Sequence, residues 1–447
     1  MGMRSLKMPS CEIARDRIQR IVLENRNGKA VGVWSVCSAH PWVLEAAMAQ
    51  GLEDGSPVLI ESTSNQVNQL GGYTGMTPKD FAQLVRAIAK QVGLPQEQLV
   101  LGGDHLGPYP WRKLPADIAM LHARNMVREY VLAGFVKVHL DASMPCASDP
   151  GPALDPELAA QRSAQLCQEA EKAWGELPEG SPAPLYVIGT EVPVPGGEQL
   201  DSGRPRVTLV EDAQAAIETH RKAFYQLGLQ DAFERVIGLV VQPGVEFGSE
   251  IIFDYDRRQA RILSTNLPKS PLLVYEAHST DYQTTASLQA LVEDHFAILK
   301  VGPALTFGMR EAIFALCALE QEWLEGTGIA PSRVRDTLEQ AMVDNPAHWR
   351  DYYTGEECRV RLQRKYSYSD RCRYYWPVAS VREQLDVLIG NLREAPPPLT
   401  LISQFMPEQY AAVRAGVLAN DPVQLIQDRV RQVLRCYAVA CGSRAHA

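Results

Sequence analysis

Hydrophobic and polar positions alternate along this chain in blocks. Short apolar runs rich in Val, Ile and Leu are separated by longer segments in which apolar residues recur three or four places apart. The first kind reads as buried parallel strands, the second as helices with one buried face. Eight strand candidates follow in order, over 31–35, 57–61, 99–103, 135–140, 185–189, 237–241, 272–276 and 298–301. Helical patterns lie between most of them, over 41–51, 77–92, 115–133, 156–174, 210–227 and 284–293. Thr77-Pro78 and Asp155-Pro156 are helix-start signals, a capping side chain followed by proline in the first turn.

A strand–helix unit repeated eight times predicts an α/β fold, a (β/α)8 TIM barrel. A doubly wound open sheet is the alternative. The barrel is favoured because polar residues follow nearly every strand, as a ring of catalytic loops requires. The unit after the sixth strand is irregular, with a loop and at most a short helix over 246–269. Beyond residue 326 helical patterns dominate, over 332–343, 381–393, 407–417 and 423–440, around an Arg/Tyr-rich stretch at 359–376 and a proline-rich break at 395–399. The expected organisation is a barrel over 1–325 and a helical C-terminal extension over 326–447 packed on it.

Composition changes the picture little. With 46% hydrophobic and 22% charged residues the chain has the makeup of a soluble globular protein. A net charge of −9 argues against a nucleic acid or an anionic membrane as partner. No apolar run is long enough to cross a bilayer, and the first residues carry no secretory h-region. Nine scattered cysteines without a C-x-x-C pair suit reduced thiols, so the expected location is the cytoplasm.

The candidate chemistry sits at the predicted C-terminal strand ends. These carry His40, Ser62 to Asn65, Asp104 with His105, Asp141, Glu191, Glu246, and His278 with Ser279 and Thr280. In a barrel all of them face one funnel. Histidines and carboxylates converging there suit a divalent metal, zinc being the natural choice for N and O ligands. Such a metal polarises a ketone carbonyl while a carboxylate, Asp104 or Glu191, moves a proton. His105 and His278 are the candidate ligands. His40, His122, His220 and His295 are read as structural, and His139 as buried and structural. Lys300 closes the eighth strand, where this architecture commonly binds phosphate. Ser367 and Arg371 belong to a stretch whose hydroxyls and guanidiniums suit a sugar phosphate. No G-x-x-x-x-G-K-[ST] pattern occurs, so nucleotide-dependent phosphoryl transfer has no support.

These motifs carry a resemblance. Gly102-Gly-Asp-His-Leu-Gly-Pro108, Leu59-Ile-Glu-Ser-Thr-Ser-Asn65, Lys137-Val-His-Leu-Asp-Ala-Ser-Met144, Gly189-Thr-Glu-Val-Pro193, Val241-Gln-Pro-Gly-Val-Glu-Phe247 and Tyr366-Ser-Tyr-Ser-Asp-Arg371 together resemble the Z-subunit family of D-tagatose-1,6-bisphosphate aldolase, related to the class II aldolases. The resemblance implies a class II aldolase-like barrel and a role in galactitol-type sugar breakdown, where a Z-type subunit supports the activity and stability of a catalytic Y-type subunit. Some members resemble stand-alone, metal-dependent 4-epimerases of tagatose or fructose, free or 6-phosphorylated, working by retro-aldol cleavage and re-addition. Asp104-His105 matches the aldolase pair of proton-transfer aspartate and zinc histidine, and His278 matches a second zinc histidine. The third histidine is replaced by Val245-Glu-Phe-Gly248, which makes Glu246 the implied substitute ligand. Lys300-Val-Gly302 lacks the aldolases' substrate-holding asparagine. The implied site therefore has Asp104 and Glu191 as catalytic groups and His105, Glu246 and His278 around the metal. Ser62, Asn65, Asp141, Ser279, Lys300, Ser367 and Arg371 would contact a ketose or ketose phosphate. Assembly into a homo-oligomer stays open.

Overall fold

A computed structural model describes residues 10–151, 153–189, 204–270 and 272–443. Ten strands form in chain order: β1 (Val33–Cys37), β2 (Val58–Thr63), β3 (Leu99–Leu106), β4 (Lys137–Leu140), β5 (Leu185–Ile188), β6 (Val236–Val241), β7 (Glu246–Phe247), β8 (Ile252–Phe253), β9 (Val274–Ala277) and β10 (Phe296–Val301). Eight of them close a parallel barrel in the order β1-β10-β9-β6-β5-β4-β3-β2. The other two, β7 and β8, pair antiparallel as a small hairpin after β6. All eight strands expected from the apolar runs are present, and helices follow them in a (β/α)8 arrangement. The irregular stretch after the sixth strand holds the hairpin and one helix, Arg257–Thr265.

Local chemistry accounts for the element starts. Thr77 caps helix Pro78–Val92 by accepting from the Asp80 amide, while the Asp80 carboxylate accepts from the Thr77 amide at 3.0 Å. Asp155 caps helix Pro156–Gly175 by accepting from the Glu157 amide at 3.0 Å. Both were legible as capping residue plus proline.

Strand parity sorts the core into two parts. Residues such as Val36, Ile60, Tyr186 and Leu299 point outward and pack under the helices in the larger cluster. Val33, Leu59, Val100, Val274 and Ile298 point inward at the bottom of the barrel. Helix Ser10–Arg26, which the strand–helix reading did not include, supplies Ala14, Ile18 and Val22 to this inner cluster and closes that end. The extension lies against the barrel's helical layer: helix Pro422–Ala440 packs on helices Pro41–Asp54, Thr285–Glu293 and Pro303–Leu324. Among the described residues no helix is long and apolar enough to cross a membrane.

Candidate functional site

Above the apolar floor, the inward positions become charged. Ser35, Glu61, Lys137, Glu276 and Lys300 all face the axis, and the Glu61, Lys137 and Glu276 side chains are fully buried. Lys137 Nζ stands 2.6 Å from Glu61 Oε1 and 2.8 Å from Glu276 Oε2. Ser35 donates to Glu61 Oε2 at 2.6 Å, and Lys300 pairs with the same carboxylate. Of the two glycines that end the third apolar run, Gly102 makes room for this network, while Gly103 faces outward against Leu106 and Tyr130. A Cβ on Gly102 would stand 2.6 Å from Glu61 Oε1, so that position admits no side chain.

One step nearer the C-terminal face stand Cys37, Asp104, His139 and His278. Asp104 Oδ1 lies 2.9 Å from His139 Nδ1 and 3.1 Å from Lys300 Nζ. His278 Nε2 lies 3.0 Å from Glu276 Oε1. The rings of His105, His139 and His278 form a triangle with centroids 4.9–5.3 Å apart. His105 adopts a left-handed backbone (φ 48°) where the register between β3 and β4 shifts. That turn swings its Nδ1 to 2.9 Å from Asp141 Oδ2. Ligand atoms of Asp104, His139, Glu276 and His278 all lie within 4.8 Å of one another, an arrangement able to hold a metal ion.

The donor set fits a divalent metal in three respects. It offers two imidazoles and two carboxylates, the mixed N/O chemistry that zinc or manganese takes. His139 uses Nδ1 toward Asp104 and leaves Nε2 buried with no hydrogen-bond partner, the pattern of an imidazole oriented for a metal by its other nitrogen. Burial lowers the pKa of His278, against the pull of Glu276 and Asp104, and so favours the neutral imidazole that binds metal.

The neighbouring charges are held firmly. Burial alone would raise the Asp104 carboxyl, but the imidazoles of His105, His139 and His278 outweigh it and keep the group ionised. Burial opposes charge on His105, yet Asp104, Asp141 and Glu276 lift its pKa to about 9. Glu276 is brought down to about 2 by Lys137 and His278 despite its burial, and burial brings Lys300 down to about 8.

The predicted residues divide by position. Asp104, His105, His278, Ser279, Lys300 and Asn65 line one cavity at the barrel mouth. Asp141 stands behind His105. Arg371 lines an adjoining cavity of about 430 Å³ that shares Asn65, Tyr73 and Tyr374 with the first. Ser62 is displaced from the expected site. Glu61 and Thr63 point inward, so Ser62 points outward and bonds the Tyr130 hydroxyl at 2.9 Å under helix Ala116–Leu132. Ser367 is turned to Ser369, with their hydroxyls 2.9 Å apart, and lies in the interior of the extension. Glu246 sits in the hairpin, its Oε1 accepting from the Phe247 amide at 3.0 Å. The expected trio of His105, Glu246 and His278 does not converge as a ligand set among the described residues. Glu191 lies outside the described residues.

His139 is the main omission of the sequence reading. It is buried, as expected, but it sits within the metal-capable cluster, together with Glu276. The available signal was the period-two polar series Lys137, His139, Asp141 along one strand face.

Residues 18–442 match the protein family described as D-tagatose-1,6-bisphosphate aldolase subunit GatZ/KbaZ-like. The chain is 50% identical over 426 residues to the D-tagatose-1,6-bisphosphate aldolase subunit GatZ of Klebsiella pneumoniae, covering 95% of this chain and 99% of that one. It is 49% identical over 424 residues to the subunit of the same name from Salmonella dublin, covering 95% and 99% of the two chains. Among solved structures it resembles a "probable tagatose 6 phosphate kinase" from Sinorhizobium meliloti 1021, with a TM-score of 0.83 and 46% identity over 92% of this chain and all of that one. On the extent of these matches, the chain belongs to the D-tagatose-1,6-bisphosphate aldolase subunit GatZ/KbaZ-like family.

Proposed function

We propose that this chain is the Z-type subunit of a D-tagatose-1,6-bisphosphate aldolase. In this role it acts in tagatose 6-phosphate or galactitol-type sugar catabolism and supports the activity and stability of a catalytic Y-type subunit. The observation that carries this reading is half-identity, over nearly the full length of both chains, to curated subunits of that name.

The site retains chemistry of its own. Asp104, His139, Glu276 and His278 would hold a divalent metal, zinc in the first instance. Such a metal supplies Lewis-acid polarisation of a ketose carbonyl. The chain's own groups then do the rest. Lys137 and Lys300 hold the carboxylates of Glu61, Glu276 and Asp104 in place. Asp141 fixes the orientation of the His105 ring at the cavity wall. Asn65 and Ser279 present polar groups to a sugar from the rim.

The experiment is to co-express this chain with a catalytic Y-type subunit and measure cleavage of tagatose 1,6-bisphosphate. A stable complex with higher activity and a longer half-life than the catalytic subunit alone is expected. No association and no change in either quantity overturns the reading.

One observation favours a second reading, a stand-alone 4-epimerase of a ketohexose or its 6-phosphate. A barrel kept for docking alone has no need of a buried polar cluster open to a cavity, because such groups are destabilising unless paired. Incubating the purified chain with fructose 6-phosphate or tagatose 6-phosphate and following interconversion by NMR separates the two. Turnover that disappears in His139→Gln and His278→Gln supports the epimerase.

A further inference from the structure

In this architecture the loops after the seventh and eighth barrel strands, with a helix N-terminus, commonly form the phosphate site. Here that place is filled. Helix Pro303–Leu324 begins just after β10, and the Asp281 carboxylate accepts from the amides of Gly302 at 3.0 Å and Ala304 at 2.8 Å. Asp281 is only 3% exposed. The free amides that would bind an anion already hold one from the chain, and its charge repels another.

The unmatched positive charge lies elsewhere on the rim. Arg371 is 3% exposed and donates through Nη1 to the His348 carbonyl at 2.9 Å. Its Nε and Nη2 reach no acceptor of normal geometry among the described residues. Nor does any described carboxylate lie within ion-pair distance of Arg371 or Arg373. The guanidinium lies over the face of the Tyr352 ring, which supports its charge but offers no acceptor in the guanidinium plane, so Nε and Nη2 remain available to an anion. The segment that carries it is rigidly placed. Asp370, in a left-handed conformation (φ 44°), accepts from Thr306 at 2.6 Å and Arg310 at 3.2 Å on helix Pro303–Leu324. The Tyr353 hydroxyl accepts from the Arg371 amide at 3.2 Å. Arg371 lines the 430 Å³ cavity with Asn68, Tyr109, His348 and Tyr352. Arg373 lines the adjoining cavity at the barrel mouth, beside Tyr374, which belongs to both.

We propose that a phosphoryl group of the sugar substrate binds in this rim cavity on Arg371, with Arg373 beside it, and that Asp281 closes the helix N-terminus to anions. The substrate class, a phosphorylated ketose, rests on the function proposed above. The C-terminal extension then supplies the anion site that the barrel loops have given up.

The test titrates the full chain alone with inorganic phosphate and with fructose 1,6-bisphosphate by calorimetry. Failure here is therefore distinct from failure to assemble with a catalytic subunit. The expected result is at least a tenfold loss of affinity for both probes in Arg371→Met, a smaller loss in Arg371→Lys, and a change of less than twofold in Asp281→Asn. Tungstate soaked into crystals of the unaltered protein locates the site directly, whether or not the arginine variants fold; density beside Arg371 is expected. Unchanged affinity in a folded Arg371→Met, no phosphate binding by the unaltered chain, or tungstate at Gly302 each overturns the proposal. Fructose 1,6-bisphosphate binding no tighter than inorganic phosphate marks a free-phosphate site and overturns the sugar-phosphate assignment.

Discussion

Replacing Lys137 by methionine isolates what the charged layer contributes to the barrel. Methionine keeps an unbranched stem of similar bulk, so packing changes little. What disappears is a cation 2.6 Å from Glu61 and 2.8 Å from Glu276, with no solvent to replace it. Removing one partner of a buried pair typically costs about 3–5 kcal/mol. Both carboxylates keep another partner, Glu61 in Ser35 and Lys300 and Glu276 in His278, which places the expectation near the lower end, about 3 kcal/mol. Unfolding entropy of about 2 cal/mol/K per residue over 447 residues converts this to a fall in Tm of about 3 °C. Scanning calorimetry of chelator-treated protein measures it. The double variant Lys137→Met with Glu276→Gln should recover at least half of the loss, because one uncompensated charge is gone. A single variant as stable as the parent, or a double variant worse than the single, would refute the claim that these ion pairs hold the layer together.

Three further outcomes follow from the geometry. Ser62→Ala should lower stability by about 1 kcal/mol through the lost Tyr130 bond while leaving metal and phosphate binding unchanged; any loss of binding would place Ser62 in the funnel after all. His139→Gln should reduce bound divalent metal, read by elemental mass spectrometry, about tenfold or more, whereas Glu246→Gln should not, and the reverse would restore the ligand set expected from sequence. Asp281 has its pKa raised by burial to about 6, against the amides of Gly302 and Ala304 and the charge of Arg373, with Tyr282 and Tyr437 its other titratable neighbours. A folded pKa above the unfolded value means that its contribution is most favourable below about pH 4 and is lost as pH rises through 6, by about 3 kcal/mol in all. Asp281→Asn should therefore gain stability relative to the parent over that interval in denaturant titrations, and a flat difference would contradict the assignment.

The barrel was legible because parallel strands buried on both faces leave uninterrupted apolar runs, and eight of these were spaced by amphipathic segments. The site was legible only to the level of strand ends. Position relative to a strand end says which loop a residue belongs to, but inward or outward orientation is decided by parity, and parity depends on where the strand begins. β1 runs over Val33–Cys37, two residues later than its apolar run suggested, and β3 continues through His105 to Leu106. β2 runs on through Thr63 instead of ending at residue 61, so Ser62 is a strand residue of outward parity and not a loop residue of the funnel. His139 was passed over because a histidine inside a strand usually satisfies a local hydrogen bond. Of its partners, Asp104 comes from the preceding strand and Glu276 from a strand far away in sequence. Glu246 followed a motif alignment, and the hairpin that carries it away depends on tertiary packing that no local pattern encodes. Helix Ser10–Arg26 precedes the repeating unit and was hidden by the regularity after it.

Helix Pro422–Ala440 covers the place where the barrel closes. It rests on helices from both the first and the last strand–helix units, and the Gly32 amide donates to the Cys441 carbonyl at 3.1 Å. The edge of β1 must wait for β10, which starts at Phe296, and the helix beside it for Pro422–Ala440, which at roughly 5–20 residues per second means tens of seconds on the ribosome. During that interval the nascent chain exposes an unpaired edge strand and the apolar underside of helix Pro41–Asp54, surfaces that chaperones recognise and that favour aggregation. Slowed synthesis of the last segment should thus lower the soluble yield of this protein even though every residue that touches the metal-capable site has long since been made.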